Sequence, residues 1–295
     1  MKPITHLNLP PSPRAAPIGI FDSGLGGLSV LRAVRAQLPA ERIVYVADSR
    51  YAPYGARDDD FIADRTLAIC EWLAAQGAKA LVVACNTATA QSIALVRERL
   101  SVPLVGVEPG IKPAAALSKS RVAGVLATPV TLRSARFQAL VERHAADLRV
   151  LCQPGLGLVE AVERCDVSSP ALVELLRGYV QPMLDVGADT LVLGCTHYPF
   201  LDAAIRSIVG ERMTLVDTSV AIARQLERVL DQHGLRVAAN DADASAAAGA
   251  PARFCSTSDG AHLRTLAAAL LGIEAQVECV SIPSPRTREP AANAA

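Results

Sequence analysis

The chain has 295 residues, too long for one small hydrophobic core and enough for two domains of ordinary size. It is half hydrophobic, poor in aromatics, and carries 29 basic and 29 acidic residues, a balance that argues against broad binding to a nucleic-acid backbone. No apolar run reaches the length of a membrane span, and the proline-broken start MKPITHLNLPPSPRAAP lacks the apolar centre of a secretory signal and reads as a disordered leader over residues 1–17.

Regular patterning begins at Ile18. Ile18 to Phe21 reads as a buried strand, followed by Asp22-Ser-Gly-Leu-Gly-Gly27 and an amphipathic helix from Leu28 to Leu38. Ile43 to Val46 is the next strand, then a polar loop through Gly55 and a long helix from about Asp58 to Gln76. Ala80 to Cys85 and Leu104 to Val107 are strands, with a helix from Thr87 to Leu100 between them. The pattern then restarts: strand Val122 to Ala127, helix Thr131 to His144, strand Arg149 to Cys152, and helices Leu156 to Arg164 and Pro170 to Val186. Strand Thr190 to Cys195, helix Asp202 to Val209, strand Thr214 to Asp217 and helix Ser219 to His233 come next. The Ala-rich stretch Val237 to Ala252 reads as a flexible surface loop, and a last strand-helix-strand, Arg253 to Ser281, is expected to return to the first half. Short apolar strands alternating with helices of this length predict parallel βαβ units, hence an α/β fold.

Two segments stand out from this rhythm. Leu81-Val-Val-Ala-Cys-Asn-Thr-Ala-Thr89 and Leu191-Val-Leu-Gly-Cys-Thr-His-Tyr-Pro199 are apolar runs ending in a cysteine, and each has the same lead-in, Gly77-Ala78 and Gly187-Ala188. The repeat places two thiols at equivalent strand ends and predicts two pseudo-symmetric halves. In open parallel sheets ligands bind beyond the carboxyl ends of strands, where helix N-termini offer amides to carboxylates and lower a thiol's pKa. A lone buried cysteine is ordinarily a small hydrophobe; the duplicated context sets Cys85 and Cys195 apart from Cys70, Cys152, Cys165, Cys255 and Cys279. Seven cysteines are an odd set with no CxxC pair, so free thiols in a reducing cytoplasm are expected, with no metal site.

Other residues have two readings. Asp22 and Ser23 are helix caps or, at a strand end, hold an ammonium group, and the glycines after them permit a close backbone approach. The loop lacks the spacing of a dinucleotide fingerprint, since Ser29 stands where the last glycine belongs. Thr128 and Thr131 cap a helix or meet a ligand carboxylate. Glu160 reads as a solvated helix carboxylate, whereas His197, beside the second thiol, can hold a thiolate or shuttle its proton.

Taken in order, DSGLGG at 22–27, the Ala-Asp and Pro-Tyr-Gly of 47–55, ACNTAT at 84–89, GVEP at 106–109 and GCTHYP at 194–199 resemble the signature segments of bacterial glutamate racemases, with a similar FCSTSD at 254–259. The resemblance runs from about Ile18 to Gly272. It implies two α/β domains with mainly parallel sheets and the active site at their interface, residues 18–109 with 218–282 in one and 110–217 in the other; the tail at 283–295 reads from its own composition as disordered. It implies Cys85 and Cys195 as acid/bases on opposite faces of the substrate, Cys85 accepting the proton of D-glutamate and Cys195 that of L-glutamate. Asp48, Glu160 and His197 match residues that assist the thiols. Asp22, Ser23, Pro53, Tyr54, Gly55, Asn86, Thr87, Thr89, Thr128, Thr131, Thr196 and His197 are the implied substrate-binding set. The family uses no cofactor and supplies D-glutamate for peptidoglycan in the cytoplasm; glutamate is the implied partner, without membrane or direct nucleic-acid binding. Homodimer formation, docking on a topoisomerase and activation by a cell-wall precursor are left open by the resemblance.

Three rivals remain at this level. A sister racemase for aspartate usually carries Glu after the second Cys-Thr, where this chain has His197. A single-thiol nucleophile would leave the duplication unexplained. A purely non-catalytic binding protein sits poorly with an intact thiol pair.

Overall fold

The computed structural model describes residues 13–237 and 252–284. Within them ten strands form two sheets, and every pairing is parallel. The first sheet has the order β10-β9-β2-β1-β3-β4, built from β1 (Ile18–Asp22), β2 (Ile43–Ala47), β3 (Ala80–Val83), β4 (Leu104–Gly106), β9 (Arg253–Ser256) and β10 (Val277–Cys279). The second has the order β6-β5-β7-β8, from β5 (Val122–Ala127), β6 (Arg149–Pro154), β7 (Thr190–Gly194) and β8 (Thr214–Val216). The order β2-β1-β3-β4 in one sheet is thus reproduced by β6-β5-β7-β8 in the other. The α/β class and the two mainly parallel sheets expected from the repeat are present, and the last strand-helix-strand does return to the first lobe.

Both faces of each sheet are covered, which is why the strands read as continuous apolar runs rather than alternating ones. In the first lobe Ile18, Ile20 and Tyr45 point toward α1 (Leu28–Gln37), α10 (Ser219–Gln232) and α11 (Ala261–Leu271). Phe21, Val44 and Val83 point the other way, toward α2 (Asp59–Ala75) and α3 (Asn86–Arg99). The second lobe sandwiches its sheet between α7 (Leu158–Glu163), α8 (Pro170–Asp185) and α9 (Asp202–Val209) on one face and α4 (Ile111–Leu117) and α6 (Ala135–His144) on the other.

The repeated Gly-Ala lead-in has a backbone cause. Gly77 and Gly187 both have φ +83°, each just past the end of a long helix, α2 or α8. Ala78 N donates to Leu73 O and Gly77 N to Ala74 O; Ala188 N donates to Met183 O and Gly187 N to Leu184 O. Each lobe therefore ends the helix feeding its central cysteine strand with the same left-handed cap.

Some expectations shift. The helix expected from Thr131 to His144 is two, α5 (Pro129–Arg133) and α6, because Ser134 leaves helical geometry and its hydroxyl accepts from Phe137 N to start the second. Residues 13–17, assigned to the leader, are ordered: Pro13–Ala15 form a 3-10 turn and Pro17 O accepts from Lys79 N. The tail boundary moves too, since Ser284 is buried. Most of the Ala-rich loop and the rest of the leader and tail lie outside the described residues. Among the described residues no helix is long and apolar enough to cross a membrane.

Gly77→Ala and Gly187→Ala should each lower unfolding free energy by about 1–2 kcal/mol through left-handed strain, since open space surrounds both positions. Denaturant titration against the corresponding Asn variants, expected to lose less, checks this.

Candidate active site

In each sheet the chain leaves its starting strand in opposite directions, from β1 to β2 and to β3, and from β5 to β6 and to β7. The crevice at such a switch point is where open α/β sheets bind ligands. Here the two crevices face each other and enclose one cavity of about 460 Å3. Cys85 comes after β3 and Cys195 after β7, and both thiols line this cavity although each is at most 7% exposed. Ser23, Pro53, Tyr54, Gly55, Asn86 and Thr87 line it from the first lobe, and Thr128, Glu160, Thr196 and His197 from the second.

The surroundings of the two thiols differ. Cys85 is the N-cap of α3: its sulfur accepts from Ala88 N at 3.4 Å and shares a 3.1 Å hydrogen bond with the Ser23 hydroxyl. Burial pushes the Cys85 thiol up to about 12; Asp22 and Cys195 push the same way, and the Ser23 and Ala88 bonds oppose them without prevailing. Cys195 Sγ instead lies 3.6 Å from His197 Nδ1, and His197 Nε2 donates to Glu163 Oε1 at 2.7 Å. Burial would lower the imidazole's pKa, but its bonds with Cys195 and Glu163 outweigh that and hold it well above its ordinary value. Glu163 stays ionised for the same reason: burial raises its carboxyl, and the bonds from His197 and the Leu25 amide bring it below the usual range.

Asp22 lies just behind this wall, fully buried at the end of β1. Its Oδ2 accepts from Gly27 N and Gly24 N at 3.0 and 3.2 Å, and its Oδ1 has no hydrogen-bond partner among the described residues. Burial raises the carboxyl to about 6, against the lowering pull of His197 and the two amides. Asn86 Oδ1, buried in the cavity wall, is likewise without a partner among the described residues. Two hydroxyl bonds stitch the lobes together: Thr87 and Thr128 share one of 3.0 Å, and Ser29 donates to Thr196 O at 2.9 Å; within the second lobe Thr128 donates to Thr131 at 2.9 Å.

The Asp/Glu/Hydantoin racemase family matches residues 18–226. Over 257 residues the chain is 62% identical to the glutamate racemase of Ralstonia nicotianae, spanning 87% of this chain and 90% of that protein. The chain belongs to this family, in its glutamate racemase branch. Solved glutamate racemases share the fold. Isoform RacE1 of Bacillus anthracis superposes with a TM-score of 0.81 at 31% identity, covering 91% of this chain and 98% of that one. The Escherichia coli enzyme, solved with L-glutamate and the activator UDP-MurNAc-Ala, gives 0.78 at 30% identity, covering 91% and 100%.

Against this family background, several expected site residues sit elsewhere. Asp48 does not reach either thiol. It is fully buried and accepts from Tyr54 Oη at 2.6 Å, Arg65 Nε and Nη2 at 3.1 and 2.6 Å, and the Thr257 hydroxyl at 2.8 Å. Its position makes it a strut that fixes Tyr54 in the cavity wall. Thr89 lies under the wall, donating to Val83 O, and Thr131 lies behind Thr128. Glu160 is an exposed rim carboxylate; the one that reaches His197 is Glu163, one turn later on α7. In Leu158-Val-Glu-Ala-Val-Glu163 the two glutamates share a helix face, so local spacing does not tell them apart. The glycines of the 22–27 loop also have another purpose. A Cβ on Gly24 would lie 2.6 Å from Glu163 Oε1, and one on Gly26 would lie 2.7 Å from the His197 backbone nitrogen. They admit Glu163 and His197 of the second lobe to the first.

Removing Arg65 would strand the buried Asp48 charge beneath Tyr54. Arg65→Met should cost about 3–5 kcal/mol of stability, measured by chemical denaturation, while Asp48→Asn with Arg65→Met should recover part of the loss.

Proposed function

We propose that the chain interconverts L- and D-glutamate by proton transfer between two thiols, Cys195 on one face of the α-carbon and Cys85 on the other, and that it supplies D-glutamate for peptidoglycan. The observation that carries this reading is the meeting of two equivalent strand-end cysteines, one from each sheet, in a single cavity. The complex of the Escherichia coli relative with L-glutamate supports the substrate.

In this reading Cys195 is the thiolate and Cys85 the thiol when L-glutamate arrives. The Cys195 thiolate takes the α-proton, and the carbanion takes the Cys85 proton on its opposite face, giving D-glutamate, a Cys195 thiol and a Cys85 thiolate. D-glutamate reverses both transfers and restores the starting form. Burial suits Cys85 to be the neutral acid, and the imidazolium of His197 suits Cys195 to be the anion. The α-proton is weakly acidic, so the developing charge needs fixed donors around the carboxylate. The hydroxyls of Ser23 and Thr87, each already held by a hydrogen bond, that of Thr196 and the strand-end amides are such donors. Asp22, buried behind the Ser23 and Gly24 wall with one carboxylate oxygen uncommitted, acts on the substrate ammonium through its charge.

Polarimetry of the purified protein with L-glutamate in heavy water, and L-aspartate for comparison, tests the reading. Rotation should decay to zero with α-deuteration for glutamate alone; constant rotation with both amino acids overturns it. Cys85→Ser and Cys195→Ser should each lower turnover by on the order of a thousandfold, and near-normal rates in either would refute the two-base assignment.

The pH profile is a separate check on Asp22. Its carboxyl titrates near 6, so activity should fall as pH drops through that value and the charge meeting the ammonium is lost. Asp22→Asn should remove this acid limb along with most of the rate.

A further inference from the structure

Glu163 holds three groups at once, and two come from the opposite lobe. Its Oε1 accepts from His197 Nε2 at 2.7 Å and from Leu25 N at 2.9 Å, and its Oε2 accepts from His262 Nε2 at 3.0 Å. Leu25 belongs to the loop after β1 and His262 to the first turn of α11, both in the first lobe; Glu163 and His197 belong to the second. The carboxylate is mostly covered, with 19% of its side chain exposed, while 46% of the His262 side chain faces solvent. Contact this close exists because Gly24 has no side chain where Glu163 lies.

Cys85 has no counterpart to this chain of groups. Its hydrogen bonds run to Ser23 and Ala88, both in its own lobe and neither ionisable near neutral pH. One thiol is therefore supported across the lobe interface and the other is not.

We propose that Glu163 and His262 form an interlobe clasp that positions His197 against Cys195, so that closing the two lobes on each other assembles one of the two bases. This rests on the two-thiol reading above. Both are positioning residues, since they act on the thiol only through the imidazole. Glu163 fixes the ring's orientation and keeps Nδ1 directed at the sulfur. His262 fixes Glu163 from outside, opposite the Leu25 amide. When the lobes part, Glu163 loses both first-lobe bonds together, and the His197–Cys195 pair loses its outer support while the Cys85 contacts stay intact.

The test is a pair of primary isotope effects on kcat/KM, using L- and D-[2-2H]glutamate in ordinary water. Enantiomers have equal free energy, so any variant must lower kcat/KM equally in both directions; the isotope effects carry no such constraint. If the clasp serves Cys195, weakening it makes the Cys195 transfer the higher barrier. Glu163→Gln should lower kcat/KM on the order of tenfold, or about 1.4 kcal/mol, raise the isotope effect with the L-substrate and bring that with the D-substrate toward one. His262→Ala should move both effects the same way with a few-fold loss. His262→Gln, whose amide places a donor where Nε2 stood, should restore wild-type values. His262 is exposed, so its variants fold even if Glu163→Gln does not. Unchanged isotope effects in the His262→Ala protein, or a fall in rate with no change in their ratio, overturn the clasp. Absence of racemisation in the unaltered protein would instead strike the two-thiol reading.

Discussion

Two thiols must be brought to one cavity from opposite sheets, and each ends almost fully covered there. For Cys85, burial first and then the neighbouring Asp22 and Cys195 all disfavour the thiolate. The rest of the architecture answers this constraint. Four strands of each sheet in the same order bring the sulfurs to equivalent places, and different neighbours then surround them. Symmetry supplies the positions, and the neighbours of the two sulfurs depart from it.

The departure lies in the path of the chain after each cysteine. Beyond Cys85 it enters a full helix, α3, so the sulfur becomes a cap held by an amide and a hydroxyl. Beyond Cys195 it turns through a short 3-10 segment, Tyr198–Leu201, and His197 folds back beside the sulfur. A neutral cap and an imidazolium partner are opposite environments for a thiol. Burial holds Cys85 in its protonated form, while the contact with Cys195 helps hold His197 as the imidazolium.

Much of this is legible in the sequence, because the signals are local. The apolar runs ending at Cys85 and Cys195, the Gly-Ala lead-ins, and the strand-helix alternation each depend on neighbours within a few residues. What the sequence hides is long-range. Asp48 sits in a motif-like position, yet its partners are Arg65 and Thr257, so its burial against a cation appears only in three dimensions. Glu163 and Glu160 share a helix face, and only the approach of Leu25 and His262 picks one of them. The glycines of the 22–27 loop read as room for a ligand, whereas Gly26 is room for His197. Ser134 is legible as a second cap, since a serine three residues before Phe137 within a helical run is a familiar starting signal.

The sheet order also has a bearing on how the chain is made. The second lobe's strands, β5 to β8, are contiguous between residues 122 and 216. The first lobe begins at Ile18 but is completed only by β9 and β10, whose residues leave the ribosome last among its strands. Until Arg253–Ser256 pairs with β2, that strand presents an open edge with unpaired backbone groups. The later-encoded lobe can thus mature first, while the earlier one waits with an exposed edge for its final strands. A chain ending before residue 253 would hold every strand of the second sheet but leave β2 of the first without its β9 partner.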